Sequence, residues 1–413
     1  MLNLKTHHRE TVTRGSGGFR NVTAATGFVS LLLVSSSALR AAEPNPEIAN
    51  VTYTVGQGPG ARIVNGLPTT WYPSVGALLY GKNNVFGSWC TATLIGCNTV
   101  LTAAHCVAED DDIRNYRMFF QHGGMVKIKS IAWQKRDYQP PTTNGEQADI
   151  AVLALAEPIS GIAPHPINED REHATDVPGI VVGFGRTGGT AADYGLKRFG
   201  LVRSADCGAG FAKNEMVCWD YHGRDSNTCN GDSGGPLLLS ENRPEEVISG
   251  VTSGGRNASC LSSDHSFDTS VFRYSKWVKS AAGTDIGTKA CSPGVPIVND
   301  KKRYKSFSGQ LSPDNPLHVF EVKVKGAQVL RVGVNTAKFL DGDAREAPAQ
   351  PWIFIAKGTD RDRTKALCTG DSAGAAAAFC SVPNPEDGQV YSIVLERAGN
   401  QRRADFQLVV SVF

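Results

Sequence analysis

Short apolar runs that alternate with polar residues recur along most of the chain, separated by glycine, proline or asparagine. Alternation with a period of two is typical of strands that bury one face, so these runs predict an all-β protein. The predicted strands before residue 300 are 75–79, 125–131, 150–155, 180–184 and 247–251. Those after residue 300 are 319–324, 329–334, 352–356, 390–395 and 406–412.

One segment has the spacing of a helix instead. Residues 271–282 place their apolar side chains three and four positions apart, which predicts an amphipathic α-helix. The residues of its apolar face are Val271, Tyr274, Trp277 and Val278.

The first 42 residues are organised like a secretory signal peptide. Basic residues precede an apolar run at 28–38, and small residues follow up to Ala42. This order predicts cleavage between Ala38 and Ala42 and a secreted, extracellular protein. The apolar run is short for a transmembrane helix, so no stable membrane span is expected, although an uncleaved anchor is the alternative.

Composition narrows the class of protein. A length of 413 residues accommodates two or three domains, and a net charge of +2 gives no sign of a nucleic-acid partner. Ten cysteines are consistent with an oxidising compartment. The acidic run 109–112 is compatible with calcium, but a solvated loop is the preferred interpretation, and we expect no metal or cofactor.

Three short motifs carry the chemistry, in the order histidine, aspartate, serine. His105 lies in the run 101–106 (LTAAHC), Asp149 opens the run 149–153 (DIAVL), and Ser233 lies in 231–236 (GDSGGP). A serine hydroxyl needs a base to become a nucleophile, and the base needs a carboxylate that orients it. Each motif alone is compatible with a structural role, but the three together predict that Ser233 attacks a carbonyl, His105 is the base and Asp149 orients it.

These motifs resemble those of the chymotrypsin-like (trypsin-family) serine proteases, from residue 63 to about 282. The resemblance implies two packed six-stranded antiparallel β-barrels followed by a C-terminal helix, with the three catalytic groups between the barrels. It also implies that the backbone amides of Gly231 and Ser233 form the oxyanion hole, and that the substrates are proteins or peptides. We assign 63–291 to this protease domain.

The sequence around Arg62 and Ile63 resembles the activation site of that family. Cleavage after Arg62 would create an α-ammonium on Ile63, which in the family pairs with the aspartate before the nucleophile, here Asp232. Residues 43–62 would then be a propeptide, and the chain a zymogen that another protease activates if it cannot cleave itself. The alternative is an ordinary strand that ends in an Asn-Gly turn.

The family resemblance implies three of the disulfides. They are Cys90–Cys106 at the histidine loop, Cys207–Cys218 ahead of the nucleophile loop, and Cys229–Cys260 at the specificity pocket. Cys368 and Cys380 are close in sequence, which predicts a local pair. Cys97 and Cys291 are left, and we predict that they form a bond because the family's C-terminal helix packs on the first barrel. Two free thiols are the alternative.

The specificity pocket departs from the tryptic pattern. The family's pocket base lies six residues before the nucleophile, which here is Asn227 followed by Thr228, and Asn227 has no charge to pair with a basic substrate side chain. Ser253, Gly254 and Gly255 match the strand that lines the pocket, where Gly254 replaces the usual tryptophan. We therefore expect an open, polar pocket, whose base one aspartate (Asp225, Asp264 or Asp268) could reach.

The tail, 292–413, begins with a linker-like run at 292–296 and contains the later predicted strands. It resembles the bacterial pre-peptidase C-terminal domain, a small β-sandwich appended to secreted proteases. The functional interpretation is a module that binds substrate or a surface, or aids secretion, and a passive stabilising appendage is the alternative. For the whole chain, an active secreted serine endopeptidase is predicted. A catalytically weak or inactive protease-like binding protein is the alternative, although all three catalytic residues are present.

Overall fold

A computed structural model shows that the described part of the chain is mostly β-structure, with one α-helix in that part. The described residues are 46–54, 64–83, 85–110, 112–139, 148–189, 191, 193–211, 214–223, 225–287, 291, 298, 302–337, 350–370, 376–398 and 403–413. The predicted signal peptide, the residues Arg62 and Ile63, and the linker-like run 292–296 lie outside these ranges.

The N-terminal two thirds of the described chain contain fourteen strands, five of which overlap the predicted runs. They are β1 (Glu47–Thr54), β2 (Leu67–Pro68), β3 (Val75–Lys82), β4 (Val85–Leu94), β5 (Thr99–Thr102), β6 (Tyr116–Phe120), β7 (Gly124–Trp133), β8 (Ala151–Leu155), β9 (Pro178–Gly183), β10 (Arg198–Arg203), β11 (Met216–Tyr221), β12 (Pro236–Leu239), β13 (Val247–Gly255) and β14 (Asp264–Ser270). The helix α1 (Val271–Ala282) follows β14 directly.

The C-terminal strands likewise contain each predicted run. They are β15 (Tyr304–Leu311), β16 (Leu317–Lys325), β17 (Val329–Thr336), β18 (Gln350–Lys357), β19 (Cys368–Gly370), β20 (Ala377–Pro383), β21 (Val390–Ala398) and β22 (Ala404–Val412). Three short 3-10 turns complete the regular elements described, at Ile113–Asn115, Gly283–Asp285 and Arg363–Lys365.

The first barrel is closed and six-stranded, in the order β3-β4-β5-β8-β7-β6. Its interior is apolar because alternate residues of every strand point inward, and it contains fully buried side chains such as Leu78, Val100 and Leu153. The barrel brings β5 beside β8, with Thr102 opposite Ala151, and this pairing places the loops after β5 and before β8 at one end.

The second barrel of the prediction is an open sheet of seven strands, in the order β11-β14-β13-β12-β9-β10-β2. The short strand β2 adds to the outer edge of β10, where Leu67 lies opposite Phe199. Since β2 and β11 form the two ends of the sheet, hydrogen bonding between its described strands does not close it. The buried residues of this sheet form an apolar cluster of their own, which includes Val181, Trp219 and Leu237.

The predicted helix 271–282 coincides with α1. Ser270 caps its first turn by accepting a hydrogen bond from the backbone N–H of Arg273, and Gly283 ends it with a φ of 64°, which suits glycine. Val271 and Val278 are fully buried against the core of the first barrel, as the apolar spacing predicts.

The C-terminal strands form two sheets that share one core. The first sheet has the order β1-β16-β21-β18-β19 and the second has the order β15-β22-β17-β20. Buried side chains from both sheets, among them Phe320, Ile393 and Val332, pack in the same apolar cluster. This arrangement is a β-sandwich.

The sandwich takes its first strand from the other end of the sequence. Strand β1 lies in the segment 43–62, which the sequence analysis assigns to a propeptide, and it pairs antiparallel with β16. The side chain of Ile48 belongs to the sandwich core. The protease strands are therefore inserted between the first and second strands of the sandwich.

The sandwich packs on the protease through buried polar side chains. The side-chain amide of Gln121 donates to Asn335 at 2.8 Å, and the backbone N–H of Lys197 donates to Gln407 at 2.8 Å. All four residues are buried. The ring of Phe413 lies against Gly161, where any β-carbon would meet it.

Five disulfides are present in the structure. They are Cys90–Cys106, Cys97–Cys291, Cys207–Cys218, Cys229–Cys260 and Cys368–Cys380. The bond from Cys97 to Cys291 joins the first barrel to the segment that follows α1, and no cysteine is left free. In the described residues, no helix is long and apolar enough to cross a membrane.

Candidate active site

His105 and Asp149 meet at one end of the first barrel, because β5 and β8 are neighbours there. The Nδ1 atom of His105 lies 2.8 Å from Oδ2 of Asp149. The backbone N–H of His105 donates to the other carboxylate oxygen, also at 2.8 Å. Two contacts to one carboxylate fix both the loop and the ring. With Nδ1 donating to Asp149, the Nε2 atom is the acceptor that a general base needs.

Asp149 is fully buried and held by the second sheet as well. The hydroxyl of Ser253 donates to its Oδ2 at 2.8 Å, and the hydroxyl of Thr269 donates to its backbone carbonyl at 2.9 Å. The predicted substrate-binding residue Ser253 therefore contacts Asp149 directly. These bonds satisfy a buried carboxylate, which would otherwise be costly to keep away from water.

Ser233 and His105 line the same cavity, which has a volume of about 290 Å³. The loop that carries Ser233 is tied to β4, because the backbone N–H of Thr91 donates to the carbonyl of Ser233 at 2.8 Å. The N–H of Gly234 donates to Thr252 at 2.7 Å, and Gly234 has a φ of 80°. The serine is thus held between the two halves of the protease.

Gly231 begins the nucleophile loop with a φ of 96°, a conformation that favours glycine. Its carbonyl accepts from the hydroxyl of Thr91 at 2.9 Å, and the same hydroxyl accepts from the N–H of Phe184 at 3.0 Å. Within the part of the chain that the structure describes, the amides of Gly231 and Ser233 donate to no acceptor. Two such amides can bind a developing oxyanion.

Asp232 points away from the cavity into the second sheet and is buried. Its carboxylate accepts from the N–H of Gly185 at 2.7 Å and from the N–H of Cys229 at 2.9 Å. Burial raises the pKa of this carboxyl to about 7, although those two hydrogen bonds and the charge of Arg198 lower it. Asp232 is thus a buried acid for which a cationic partner would be favourable.

Asn227, the predicted base of the pocket, contacts an acid that lies on β14. The side-chain amide of Asn227 donates to Oδ2 of Asp264 at 2.9 Å, and its oxygen accepts from the hydroxyl of Ser266. The other oxygen of Asp264 accepts from the N–H of Asn257 at 2.8 Å. Thr228 and Asp264 both line the cavity that contains Ser233.

The three candidate pocket aspartates have different positions. Asp264 lines the cavity, whereas Asp225 is exposed and its backbone carbonyl accepts from Asn65. Asp268 is buried on β14, opposite Thr252 of β13, and burial together with the charges of Asp149 and Asp232 raises its pKa well above the ordinary value.

The strand that carries Ser253 forms one wall of the cavity. At Gly254 a β-carbon would lie 3.1 Å from the ring of Phe267, and at Gly255 it would lie 2.6 Å from the carboxylate of Asp264. Any side chain at Gly255 would therefore displace the acid of the pocket. Because the two glycines have no side chains, the cavity stays open along this strand and the carboxylate of Asp264 keeps its position.

Several residues that no sequence motif marks also support the site. Thr91 supports the nucleophile loop, and Ser266 and Asn257 hold the polar base of the pocket. No motif distinguishes these residues, since serine, threonine and asparagine are common in strands and turns. Register would have identified Ser266, because β13 pairs with β14 and places Gly255 opposite it.

The acidic run after His105 is engaged within its own loop. Asp110 accepts from the hydroxyl of Tyr80 at 2.9 Å and from the amide of Asn115 at 2.9 Å. Asp112 caps a 3-10 turn and pairs with Arg114. In the described residues of this run, Asp110 and Asp112 therefore stabilise the loop through their own carboxylates.

The comparisons with known proteins agree with this geometry. The family model described as Trypsin matches residues 63–278, slightly more than half of the chain. The chain therefore belongs to the trypsin family and is a trypsin-like serine endopeptidase.

Individual relatives are similar at moderate identity. "Trypsin, alkaline C" of Manduca sexta is 29% identical over 278 residues, which cover 61% of this chain and 98% of that protein. "Trypsin" of Saccharopolyspora erythraea is 31% identical over 180 residues, covering 40% and 75%. "Platelet-aggregating proteinase PA-BJ" of Bothrops jararaca is 28% identical over 232 residues, covering 51% and 90%.

Proposed function

We propose that this chain hydrolyses peptide bonds through an acyl-enzyme formed on Ser233. His105 removes the hydroxyl proton as Ser233 attacks the carbonyl carbon, and Asp149 stabilises the imidazolium that results. His105 then returns the proton to the leaving amine, so that the first product departs and an ester remains. A water molecule, deprotonated by the same histidine, hydrolyses the ester and restores Ser233.

The observation that carries the proposal is the fixed pair of His105 and Asp149 beside Ser233. The carboxylate is buried and contacts both the ring and the backbone of His105. A ring held in this way has one tautomer and one orientation, which is the requirement for a base that acts on a neighbouring hydroxyl. The amides of Gly231 and Ser233 supply the oxyanion donors, each contributing about 3 kcal/mol to the lowering of the barrier.

Activation by cleavage after Arg62 is part of the proposal. Asp232 supports it, because it is a buried acid whose pKa is raised to about 7 and which would gain from a cation. The new ammonium of Ile63 provides that cation and orders the nucleophile loop. Arg62→Gln should give a chain that stays inactive after treatment with a trypsin-like activator, while the same treatment activates the unaltered chain. Equal activity in both would contradict the zymogen proposal.

The primary pocket is proposed to be open and polar, with Asp264 as its acid. Because the carboxylate of Asp264 lines the cavity and contacts Asn227, it would attract a Lys or Arg side chain of the substrate. A peptide library varied at the residue before the scissile bond should therefore give a basic preference. Asp264→Asn should lower kcat/KM for the basic peptides at least tenfold while affecting neutral peptides little. A neutral preference in the unaltered enzyme would contradict the assignment.

Ser233→Ala tests the nucleophile. Hydrolysis of a peptide substrate by the cleaved enzyme should fall by several orders of magnitude, with the circular dichroism spectrum unchanged. Ser240→Ala, a change at an exposed serine in the turn after β12, is the matched control and should retain full activity. If the unaltered and cleaved chain shows no turnover at all, the protein-binding alternative takes precedence.

Export and the role of the sandwich belong to the same proposal. The chain is proposed to be secreted after removal of residues 1–42 and to act on extracellular proteins or peptides, with a separate protease as activator if self-cleavage fails. The sandwich is proposed to be a pre-peptidase C-terminal-like domain that binds substrate or a surface. Mass spectrometry of protein secreted by its expression host should locate the first residue between 39 and 43.

A further inference from the structure

Strand β1 is an edge strand of the sandwich that comes from the far end of the sequence. It pairs antiparallel with β16 through seven residue pairs, from Glu47 opposite Lys325 to Thr54 opposite Val319, with an irregularity between Ala49 and Val51. The other edge of β16 pairs with β21. Without β1, the backbone N–H and C=O groups along one side of β16 would lose their partners.

Side chains and backbone atoms outside the ladder also anchor β1. Ile48 is 6% exposed and packs within the sandwich core, and Pro46, just before the strand begins, is also buried. The backbone N–H of Ile48 donates to the carbonyl of Lys302 at 3.1 Å. Glu47 also forms an ion pair with Lys325 at 3.5 Å. Both side chains are exposed to solvent, so this pair contributes little to the stability of the strand.

The chain on the other side of Arg62 is held by the protease instead. The N–H of Asn227 donates to the carbonyl of Val64 at 3.1 Å, and the side-chain amide of Asn65 donates to the hydroxyl of Tyr221 at 2.8 Å. A cut between Thr54 and Val64 would therefore break none of the contacts just named for the described residues on either side. No cysteine precedes Cys90, so no disulfide can hold the segment.

We infer that the N-terminal segment does not leave after activation, because the edge of β16 is its binding site. The mature enzyme is then two chains, in which the cleaved segment stays bound as a strand of the sandwich without a covalent bond. This mode of binding is the addition of a strand to a sheet edge, with a pocket for one apolar side chain. The inference rests on the proposed cleavage after Arg62, but the binding itself can be tested apart from it.

The experiment uses the full chain with Ser233→Ala, to prevent autolysis, and a recognition site for an unrelated site-specific protease between residues 55 and 61. After cutting, the protein is gel-filtered in native buffer, and each fraction is analysed by denaturing mass spectrometry. The N-terminal fragment should elute with the large fragment at a ratio near one to one. Its appearance in the low-mass fraction, while the large fragment elutes as a folded protein, would overturn the inference.

Variants of β1 test the origin of the binding. Ile48→Asp places a charge in the sandwich core and should speed the loss of the fragment on dilution at least tenfold. Glu47→Gln, one residue away, is the matched control and should change that rate less than twofold. Equal rates in the two variants would count against the proposed anchor.

A second measurement covers the case in which Ile48→Asp does not fold before cutting. The cut protein is stripped of its fragment in mild urea, gel-filtered and returned to native buffer, and a labelled peptide of residues 46–54 is added. Anisotropy should show saturable binding that a scrambled peptide lacks. Binding of neither peptide, or of both equally, would overturn the inference. If Arg62→Gln proves fully active, the zymogen proposal fails while the retention result still stands.

Discussion

Replacing Asp232 by asparagine in the uncleaved chain should remove one contribution to the pH dependence of its free energy of unfolding, the one that comes from the titration of this carboxyl. The folded protein raises the pKa of this carboxyl from its ordinary 3.8 to about 7 by burying it. In the unfolded chain the group is ionised above pH 4, whereas in the folded chain it stays protonated until about pH 7. The folded state therefore holds one proton more between these values, and stability falls as pH rises.

The magnitude follows from the size of the shift. A difference of roughly three pKa units corresponds to roughly 4 kcal/mol, since each unit is worth about 1.4 kcal/mol. The contribution is fully present below pH 4, declines as pH rises towards 7, and is lost above that pH. Asp232→Asn cannot ionise, so it should remove this slope. It also turns an amide N–H₂ toward the N–H of Cys229 or Gly185, which costs about 1–3 kcal/mol at every pH.

The assay is urea unfolding followed by tryptophan fluorescence at pH 5, 6, 7 and 8, in the Ser233→Ala background so that no autolysis occurs. Other groups titrate in this range, so the measured quantity is the difference between the chains with and without Asp232→Asn. Between pH 5 and pH 8 that difference should shift against Asp232 by roughly 3 kcal/mol. A constant difference across the range, or one that grows with pH, would refute the reasoning.

Three further predictions concern Ser253, Lys197 and Gly161. Ser253→Ala removes a hydrogen bond to the buried carboxylate of Asp149, a bond worth about 1.5–3 kcal/mol, so kcat of the activated enzyme should fall about 10- to 100-fold with KM nearly unchanged. Burial lowers the pKa of Lys197 to about 7, so stability should fall as pH falls from 10 to 7, and Lys197→Met should flatten that part of the profile in chemical unfolding. Gly161→Val combines a φ of 79° with a contact against the ring of Phe413 and should cost about 1–3 kcal/mol in thermal unfolding. Adding Phe413→Ala to Gly161→Val should recover part of the lost stability. If the effects of the two substitutions on the free energy of unfolding were fully additive, the contact would be contradicted.

The sequence was most informative where a pattern is local. The helix 271–282 was predictable because its apolar residues recur three and four positions apart within one short segment. The predicted strand runs all fall on observed strands to within a few residues, since period-two alternation reports directly on burial. Twelve of the twenty-two described strands, among them β4, β12 and β15, were not predicted. In β15 the apolar residues are diluted by serine, glycine and lysine.

What the sequence could not supply was pairing between distant segments. Nothing in residues 47–54 indicates that they pair with β16, which is far away in the sequence. The sequence of this segment is therefore equally compatible with a propeptide. The sequence left three aspartates as candidates near the pocket, and only the folded chain shows that Asp264 lines the cavity and contacts Asn227. The bond between Ser253 and Asp149 likewise joins two halves of the fold that no local signal connects.

The insertion of the protease between β1 and β15 has a consequence for the order of folding. During synthesis β1 emerges first, but β16 becomes available only after the whole protease has been made. The sandwich therefore cannot be completed early, and closing so long a loop is slow unless the intervening chain is already compact. The protease, built mostly from strands that are near in sequence, would fold first and bring the two ends together. In this order β1, the first of the described strands to be synthesised, docks only after the protease has folded.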